Sequence, residues 1–555
     1  MTTRRTPEAV SFVLALFFVA VLNIPFWRLF YRVLAPQSAY EWGFMAAVFL
    51  GLLAATYMII LLLAVRPLLR PVVGLLLVVT AAASYFMLEY GTVIDVNMVR
   101  NVFETDPAEA GDLMSGKLLA YVASFGVLPA LLLWLVPIDW PRVRDDFRRK
   151  TASAAIVLPL AAAALFPFIP ALTSTFRENV VLRLTLTPSN YISALQKYAK
   201  LKFKVAQVTA VEAIGTDAVR SPASEPDARP MLFVIVVGET ARADHFALNG
   251  YGRPTNPELS KVADLVNFPN ASSCGTDTAQ SVPCMFSGLG RENFSNADAA
   301  RRQNLLDVLA RAGFDVIWRE NQAGCKGVCE RIKTEVLTGL KHPTFYAYTE
   351  NHDEILIDGL EARIRNLKKD TVIVMHMMGS HGPAYWKRYP ARFETFKPVC
   401  HESQFSRCSR DEIINAYDNT ILYSDYVLGR LIGILRAGAD TADTGMIYMS
   451  DHGESLGENN IYLHGMPYAL APQAQTHVPM VAWLSEPLRK RTSSDNGCLQ
   501  YNGKINRSHD NLFHSVLGIL DVKTNIYDSS LDLFAPCRNA KVFGQQGVVA
   551  HGSLQ

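Results

Sequence analysis

GMIYMSDHGES (445–455) joins a short apolar run directly to a cluster of charged side chains. A run of this length without polar alternation reads as a strand buried on both faces, which is the habit of strands in a parallel sheet covered by helices. Four other runs have the same texture: MLFVIVVG (231–238), FDVIW (314–318), TVIVMHMM (371–378) and VPMVAWLS (478–485). NLLDVLARAG (304–313) has helical spacing and stops at Gly313, just before one of these strands. Residues 231–555 therefore read as an α/β sandwich, a fold that binds its ligands in the crevice beyond the carboxyl ends of the strands.

Polar residues follow several of those strands. Glu239 follows the first, His381 lies in GSHGPAY after the third, and Asp451-His452 follow the fourth, with Glu454 and His464 close behind in GES and YLHG. Taken singly each has an ordinary role, as a helix cap, a turn histidine or a loop residue. Together at one sheet edge they form a ligand set of carboxylates and imidazoles that suits zinc, with manganese as the alternative. CGTDTAQSVPC (274–284) adds the hydroxyls of Thr276, Thr278 and Ser281. A hydroxyl at a helix N-terminus sits beside free N–H groups that can cradle a phosphate, and a nearby divalent ion lowers its pKa. Such residues also merely cap helices. Spacing alone leaves the choice between Thr276 and Thr278 open.

The first third of the chain has a different character. Ser11–Trp27, Gly43–Val65, Pro71–Gly91, Leu118–Val136 and Ala152–Leu172 are nearly uncharged stretches. Each is close to the roughly 20 residues that cross a bilayer. Arg4, Arg5, Arg66, Arg70, Arg142, Arg144, Arg148, Arg149 and Lys150 flank one side of these spans. Arg28, Arg32, Arg100 and Lys117 lie on the other, the last two diluted by Glu104, Asp106, Glu109 and Asp112. The bias places the N-terminus in the cytoplasm and, after five crossings, everything beyond Leu172 outside. All eight cysteines (274, 284, 325, 329, 400, 408, 498 and 537) fall in that outer part, as disulfides of an oxidising compartment would. Residues 1–172 are thus expected to form a five-span domain and 173–230 a connector. In the connector, Ile192, Leu195, Tyr198 and Leu201 recur at helical spacing beside Lys197, Lys200, Lys202 and Lys204. That pattern fits a basic amphipathic helix on a membrane surface, or one packed on the globular domain. The polar stretch 206–230 reads as a linker. A net charge of +2 without a basic stripe gives no sign of a nucleic-acid partner.

In order, GET, CGTxTAxSVPC, GCKGVC, SHGPAY, SDHGES and YLHG resemble the phosphoethanolamine transferases of Gram-negative bacteria, the group that includes the mobile colistin-resistance enzymes. The resemblance covers the whole chain. It implies a multi-pass inner-membrane protein with a periplasmic domain of alkaline phosphatase and sulfatase type. It also implies a zinc ion held by Glu239, Thr278, Asp451 and His452, with Thr278 as nucleophile. His381 and His464 match positions that hold a second zinc or contact the incoming phosphate, and Lys326 and Glu454 match residues near the substrate. NVFETDPAEA (101–110) resembles the loop that meets the donor headgroup. The family pairs Cys274 with Cys284, and Cys325–Cys329 and Cys400–Cys408 fit it, which leaves Cys498 with Cys537. The implied donor is phosphatidylethanolamine, and the implied acceptor is lipid A or the lipopolysaccharide core. A monomer is expected.

Other classes fare less well. A sulfatase would need a C-x-P-x-R nucleophile motif, which does not occur. The cysteines and YLHG speak against a glycerol-phosphate transferase of the lipoteichoic-acid synthase type. A transferase acting on another periplasmic glycan keeps the same motifs. A scaffold without activity would not need the full ligand set.

Overall fold

The computed structural model describes residues 4–104, 107–206, 211–220, 229–348 and 350–538. Its contacts divide the chain into one unit of Met1–Glu104 with Leu113–Lys200, and a second of Thr105–Asp112 with Leu201–Gln555.

In the first unit four helices are long and apolar enough to cross a membrane: Ala39–Leu63, Leu69–Tyr90, Gly116–Leu135 and Val143–Glu178. The first predicted span is not one straight helix. Pro7–Leu22 and Ile24–Leu34 meet at 58°, and counting this bent pair as a single span gives five. The break has a local cause. Pro25 lacks the N–H that would continue the ladder, and the buried Asn23 bonds across the gap instead. Its Nδ2 donates to the carbonyls of Phe18 and Thr187, 2.9 Å each, and its Oδ1 accepts from Thr187 N at 2.9 Å. No residue of Val143–Leu165 is fully buried within the protein, and Ile156, Leu158 and Leu160 are exposed, as on a helix that turns one side to lipid, while Val157 packs on the neighbouring helices. The helix Ser189–Ala206 begins in this unit, where the Tyr191 hydroxyl lies 2.9 Å from Thr80 Oγ1 and Tyr198 stacks on Phe103. Of the expected linker, 207–210 and 221–228 lie outside the described residues. The part between them is not free chain, because Val219–Arg220 pair antiparallel with Val522–Lys523. Residues 105 and 106 of the 101–110 loop also lie outside the described residues.

The second unit is built on a seven-stranded sheet. In chain order its strands are β1 Met231–Gly238, β2 Val266–Asn267, β3 Asp315–Glu320, β4 Lys333–Val336, β5 Thr371–His376, β6 Asp443–Ser450 and β7 Met480–Leu484, arranged β2-β7-β6-β1-β5-β3-β4. β6, β1, β5, β3 and β4 are parallel neighbours. β7 departs from the expected parallel order: it runs antiparallel to β6, with Gly445 opposite Leu484. An apolar run buried on both faces carries no direction. The only α-helix between β6 and β7 is the four-residue Gln473–Thr476, too short to be a crossover helix that carries the chain back to the start of the sheet. The edge strands β2 and β4 have no apolar run to betray them.

Both faces of the sheet are covered. Phe233, Ile235 and Val237 of β1 share a core with Val282 and Phe286 of helix α1 (Thr278–Ser287) and with Leu512 and Val516 of Asp510–Ile519. Leu232, Val234 and Val236 alternate to the other face, where α2 (Arg410–Ala437) packs.

Candidate metal centre

β1 and β6 run in register to their ends, with Ser450 beside Gly238. The next residues of the two strands, Glu239 and Asp451, therefore emerge side by side, and Asp451 N–H donates to Gly238 O at 2.9 Å. Glu239, Asp451 and His452 are fully buried, and each offers one ligand atom within 4.8 Å of the others. His452 Nε2 lies 3.3 Å from Glu239 Oε1 and 3.3 Å from Asp451 Oδ2. The backbone is tightly set here. Gly379 has φ +54°, and a Cβ there would meet Glu239 O at 2.7 Å, while one on Gly453 would meet Ala474 O at 2.0 Å. Neither position admits a side chain.

These residues fit a divalent cation. The carbonyl of Gly453 can only accept, so His452 Nδ1, 2.9 Å away, carries the ring proton and Nε2 turns a lone pair to the cluster. Asp451 Oδ1 takes N–H bonds from Thr240 (3.2 Å) and His452 (2.7 Å), whereas its buried Oδ2 has no hydrogen-bond donor among the described residues. Burial pushes the Asp451 carboxyl up to about 6 and the His452 imidazole down to about 3. A cation among these groups would offset that cost. Two carboxylates, one imidazole and a hydroxyl form a four-ligand oxygen and nitrogen set suited to zinc. No other group of three such ligands occurs among the described residues.

The three candidate hydroxyls have different surroundings. Thr276 Oγ1 donates to Met466 O at 2.6 Å, and Ser281 Oγ accepts from Gly275 N at 3.0 Å. Only Thr278, the first residue of α1, reaches the cluster, with Oγ1 3.1 Å from Glu239 Oε2 and 3.4 Å from His452 Nε2. Asp277 caps the helix by accepting from Gln280 N at 3.0 Å. The Cys274–Cys284 disulfide closes the loop around it, and Cys325–Cys329, Cys400–Cys408 and Cys498–Cys537 are also bonded. In the chain-entropy picture a ten-residue loop of this kind is worth about 3 kcal/mol. The double variant Cys274→Ser/Cys284→Ser should accordingly lower the unfolding free energy by that order in a denaturant titration. An unchanged midpoint would show the bridge to be dispensable.

The His464 ring lies tilted against that of His452, with centroids 4.4 Å apart, and its Nδ1 lies 3.1 Å from Glu454 Oε2. His381 is 5.6 Å from His464, centroid to centroid. Burial first, and then the nearby His464 and Arg388, hold the His381 imidazole well below its usual range. Lys326 sits at φ +50° in its disulfide loop and donates to Ala323 O at 2.9 Å, so its ammonium is turned to its own loop. Its charge still acts on His381.

Three supporting residues escaped the sequence reading. Gln322 Nε2 donates to Glu239 Oε2 at 2.7 Å. His509 accepts from Cys274 N at 3.0 Å, so its other nitrogen, 2.9 Å from Ser450 O, must donate, and the ring ties the disulfide loop to the end of β6. Arg388 Nε donates to His381 O at 2.7 Å. Gln322 could have been found, since it follows β3 at the same carboxyl edge as the ligands. Gln322→Leu would leave Glu239 free to turn, and we expect a 10- to 100-fold loss of zinc affinity, roughly the usual cost of losing such support. Competition with a chromophoric chelator measures it, and an unchanged affinity would dismiss the role.

A buried ligand triad at the carboxyl edge of such a sheet, facing a hydroxyl on a helix N-terminus, marks a phosphatase- or sulfatase-type domain, here following a helical membrane region. Residues 232–522 match the sulfatase family, and residues 52–203 match the family described as phosphoethanolamine transferase EptA/EptB. The chain is 41% identical over 534 residues to phosphoethanolamine transferase EptA of Escherichia coli K12, covering 95% of this chain and 96% of that protein. It is 38% identical over 492 residues to the phosphatidylethanolamine transferase Mcr-1 of Escherichia coli, with 86% and 89% covered. The solved integral membrane lipooligosaccharide phosphoethanolamine transferase A of Neisseria meningitidis superposes with a TM-score of 0.92 at 33% identity, covering 97% of this chain and 100% of that one. The chain belongs to the EptA/EptB-type phosphoethanolamine transferases and is an enzyme of the membrane.

Proposed function

We propose that this protein transfers phosphoethanolamine from phosphatidylethanolamine to lipid A or the lipopolysaccharide core through a phosphoethanolamine–Thr278 intermediate, releasing diacylglycerol. The observation that carries this reading is the convergence of Thr278 Oγ1 on Glu239 and His452, beside Asp451. Glu239, Thr278, Asp451 and His452 would hold a zinc ion. When bound, it supplies Lewis-acid stabilisation of phosphoryl charge and lowers the pKa of a hydroxyl at the site.

In the first displacement Thr278 Oγ bonds to phosphorus as the bond to the diacylglycerol oxygen breaks. The threonine proton passes to Glu239, and His464 protonates the departing oxygen. Burial raises the Glu454 carboxyl, which faces His464 Nδ1, so that the pair can hold a proton. In the second displacement a phosphate or hydroxyl oxygen of the acceptor gives its proton to His464 and attacks phosphorus. Thr278 leaves and recovers its proton from Glu239. Splitting the transfer into two displacements is ordinary covalent catalysis. His381, kept neutral, would contact the phosphoryl oxygens, and Lys326 would join it by turning its ammonium away from the Ala323 carbonyl. The enzyme is read as a monomer with its N-terminus in the cytoplasm and its transferase domain in the periplasm, where both lipids are within reach. Each transfer adds an ammonium to an anionic acceptor, which weakens its attraction for cationic peptides such as polymyxins.

The test incubates the full-length protein with phosphatidylethanolamine and maps peptides by mass spectrometry. A phosphoethanolamine adduct on Thr278, discharged by lipid A or core oligosaccharide, is expected. An adduct elsewhere, or transfer without one, would overturn the covalent route. The acceptor fragment that carries the group distinguishes lipid A from core sugar or another glycan.

A further inference from the structure

Arg28 and Arg32 run against the charge bias that orients the chain, since both lie at the far end of the first span. With five crossings, the turn after that span falls on the same side of the bilayer as the chain after the fifth. Both arginines sit on the helix Ile24–Leu34, four residues apart and so on one face. Among the described residues neither has an ion pair or hydrogen bond, and both are exposed. Cations of this kind at a span's end commonly reach into the headgroup layer. Here they line an open surface depression of about 770 Å³ within the first unit, with Trp27, Tyr31, Trp42 and Phe49. The Trp27 indole is fixed as a wall: Nε1 donates to Val19 O at 2.7 Å, and its ring lies 5.5 Å from that of Phe49. Tyr31 and Trp42 pair across the depression at 6.2 Å. No carboxylate lines it.

An apolar trough with two uncompensated guanidiniums is complementary to an amphiphile that carries an acyl chain and net negative charge. Because the depression is open, it would seat the headgroup and upper acyl carbons of one lipid while the chains run on into the bilayer. We propose that the depression holds one glycerophospholipid with a net-anionic headgroup, of the phosphatidylglycerol type, separate from the lipid donor and acceptor of the transfer reaction. Phosphatidylethanolamine is disfavoured because its ammonium would face two guanidiniums with no carboxylate to receive it. The lipid sits in the leaflet that faces the transferase domain, an assignment that rests on the orientation proposed above. Its headgroup preference does not depend on that orientation.

The full chain is reconstituted in nanodiscs of equal phosphatidylglycerol and phosphatidylethanolamine, and native mass spectrometry counts the lipids retained on release. Because a nanodisc exposes both leaflets, the count is independent of orientation and of transfer chemistry. The protein should retain phosphatidylglycerol over phosphatidylethanolamine by roughly 30-fold, the order expected for two cations near a bilayer surface. Arg28→Gln/Arg32→Gln should erase the preference, and Arg28→Lys/Arg32→Lys should keep it. Equal retention by the unaltered protein, or a preference that survives the glutamine pair, would overturn the proposal. In a second arm with lipid A added, displacement of phosphatidylglycerol by lipid A would also overturn it, by assigning the depression to the acceptor.

Discussion

Thr278→Ala is expected to lower phosphoethanolamine transfer by roughly 10⁴-fold or more, the scale on which enzymes lose rate when a nucleophile is removed. The change deletes the hydroxyl and the γ-methyl of a residue that is already helical and leaves the cap on Asp277 intact, so folding should be little affected. Thr278→Ser keeps the attacking oxygen and should retain measurable transfer. Headgroup release from labelled donor lipid, read beside a melting curve, separates loss of chemistry from loss of fold. An alanine variant with a tenth of the original rate would mean that another group attacks phosphorus.

Stripping the protein with a chelator should have the next largest effect. Loss of the cation removes a contribution of several kcal/mol to transition-state stabilisation, so activity should fall by at least about 10³-fold and return on adding zinc. Stability should fall as well, because a cation that binds only the folded state adds about 2.7 kcal/mol at a hundredfold excess over its dissociation constant. The stripped protein carries a pH signature. Burial raises the Asp451 carboxyl from 3.8 to about 6. A carboxyl raised on folding favours the folded state at low pH, and that contribution is lost as pH rises from about 4 to about 6. The loss from this residue is of the order of 3 kcal/mol. The His452 imidazole, pushed down to about 3, acts in the opposite sense over the same window, because the unfolded chain binds a proton there that the folded chain does not. The Asp451 share is therefore read against Asp451→Asn: the melting temperature of the stripped protein relative to that stripped variant should decline from about pH 4 to about 6, and zinc should flatten that decline. Identical curves with and without metal would remove the ion from its proposed place.

Much of the transferase domain can be read from its sequence because the parallel strands are uninterrupted apolar runs and the ligands follow them at once. Glu239 and Asp451 need no tertiary knowledge beyond the rule that such strands present ligands at their carboxyl ends. The antiparallel course of β7 is hidden because burial on both faces erases direction. β2 and β4 are hidden because short edge strands have no apolar pattern. The choice between Thr276 and Thr278 is hidden for another reason. Their side chains are alike, and only the path of the loop decides that one bonds the Met466 carbonyl while the other faces Glu239. Gln322 and His509 act through hydrogen bonds to residues 83 and 235 positions away, a distance no local pattern spans. The bend at Asn23 is written in the adjacent Pro25, yet its cross-chain partner Thr187 is 164 residues off.

The side-by-side exit of Glu239 and Asp451 has a bearing on how such enzymes diversify. Their separation is inherited from the backbone ladder between β1 and β6, two interior strands that no loop interrupts. Segments away from that edge can lengthen, shorten or change charge to suit a new recipient while the reactive oxygen atoms keep their spacing. Inserting a single residue into either strand, by contrast, would shift one carboxylate along the ladder and dismantle the centre at a stroke.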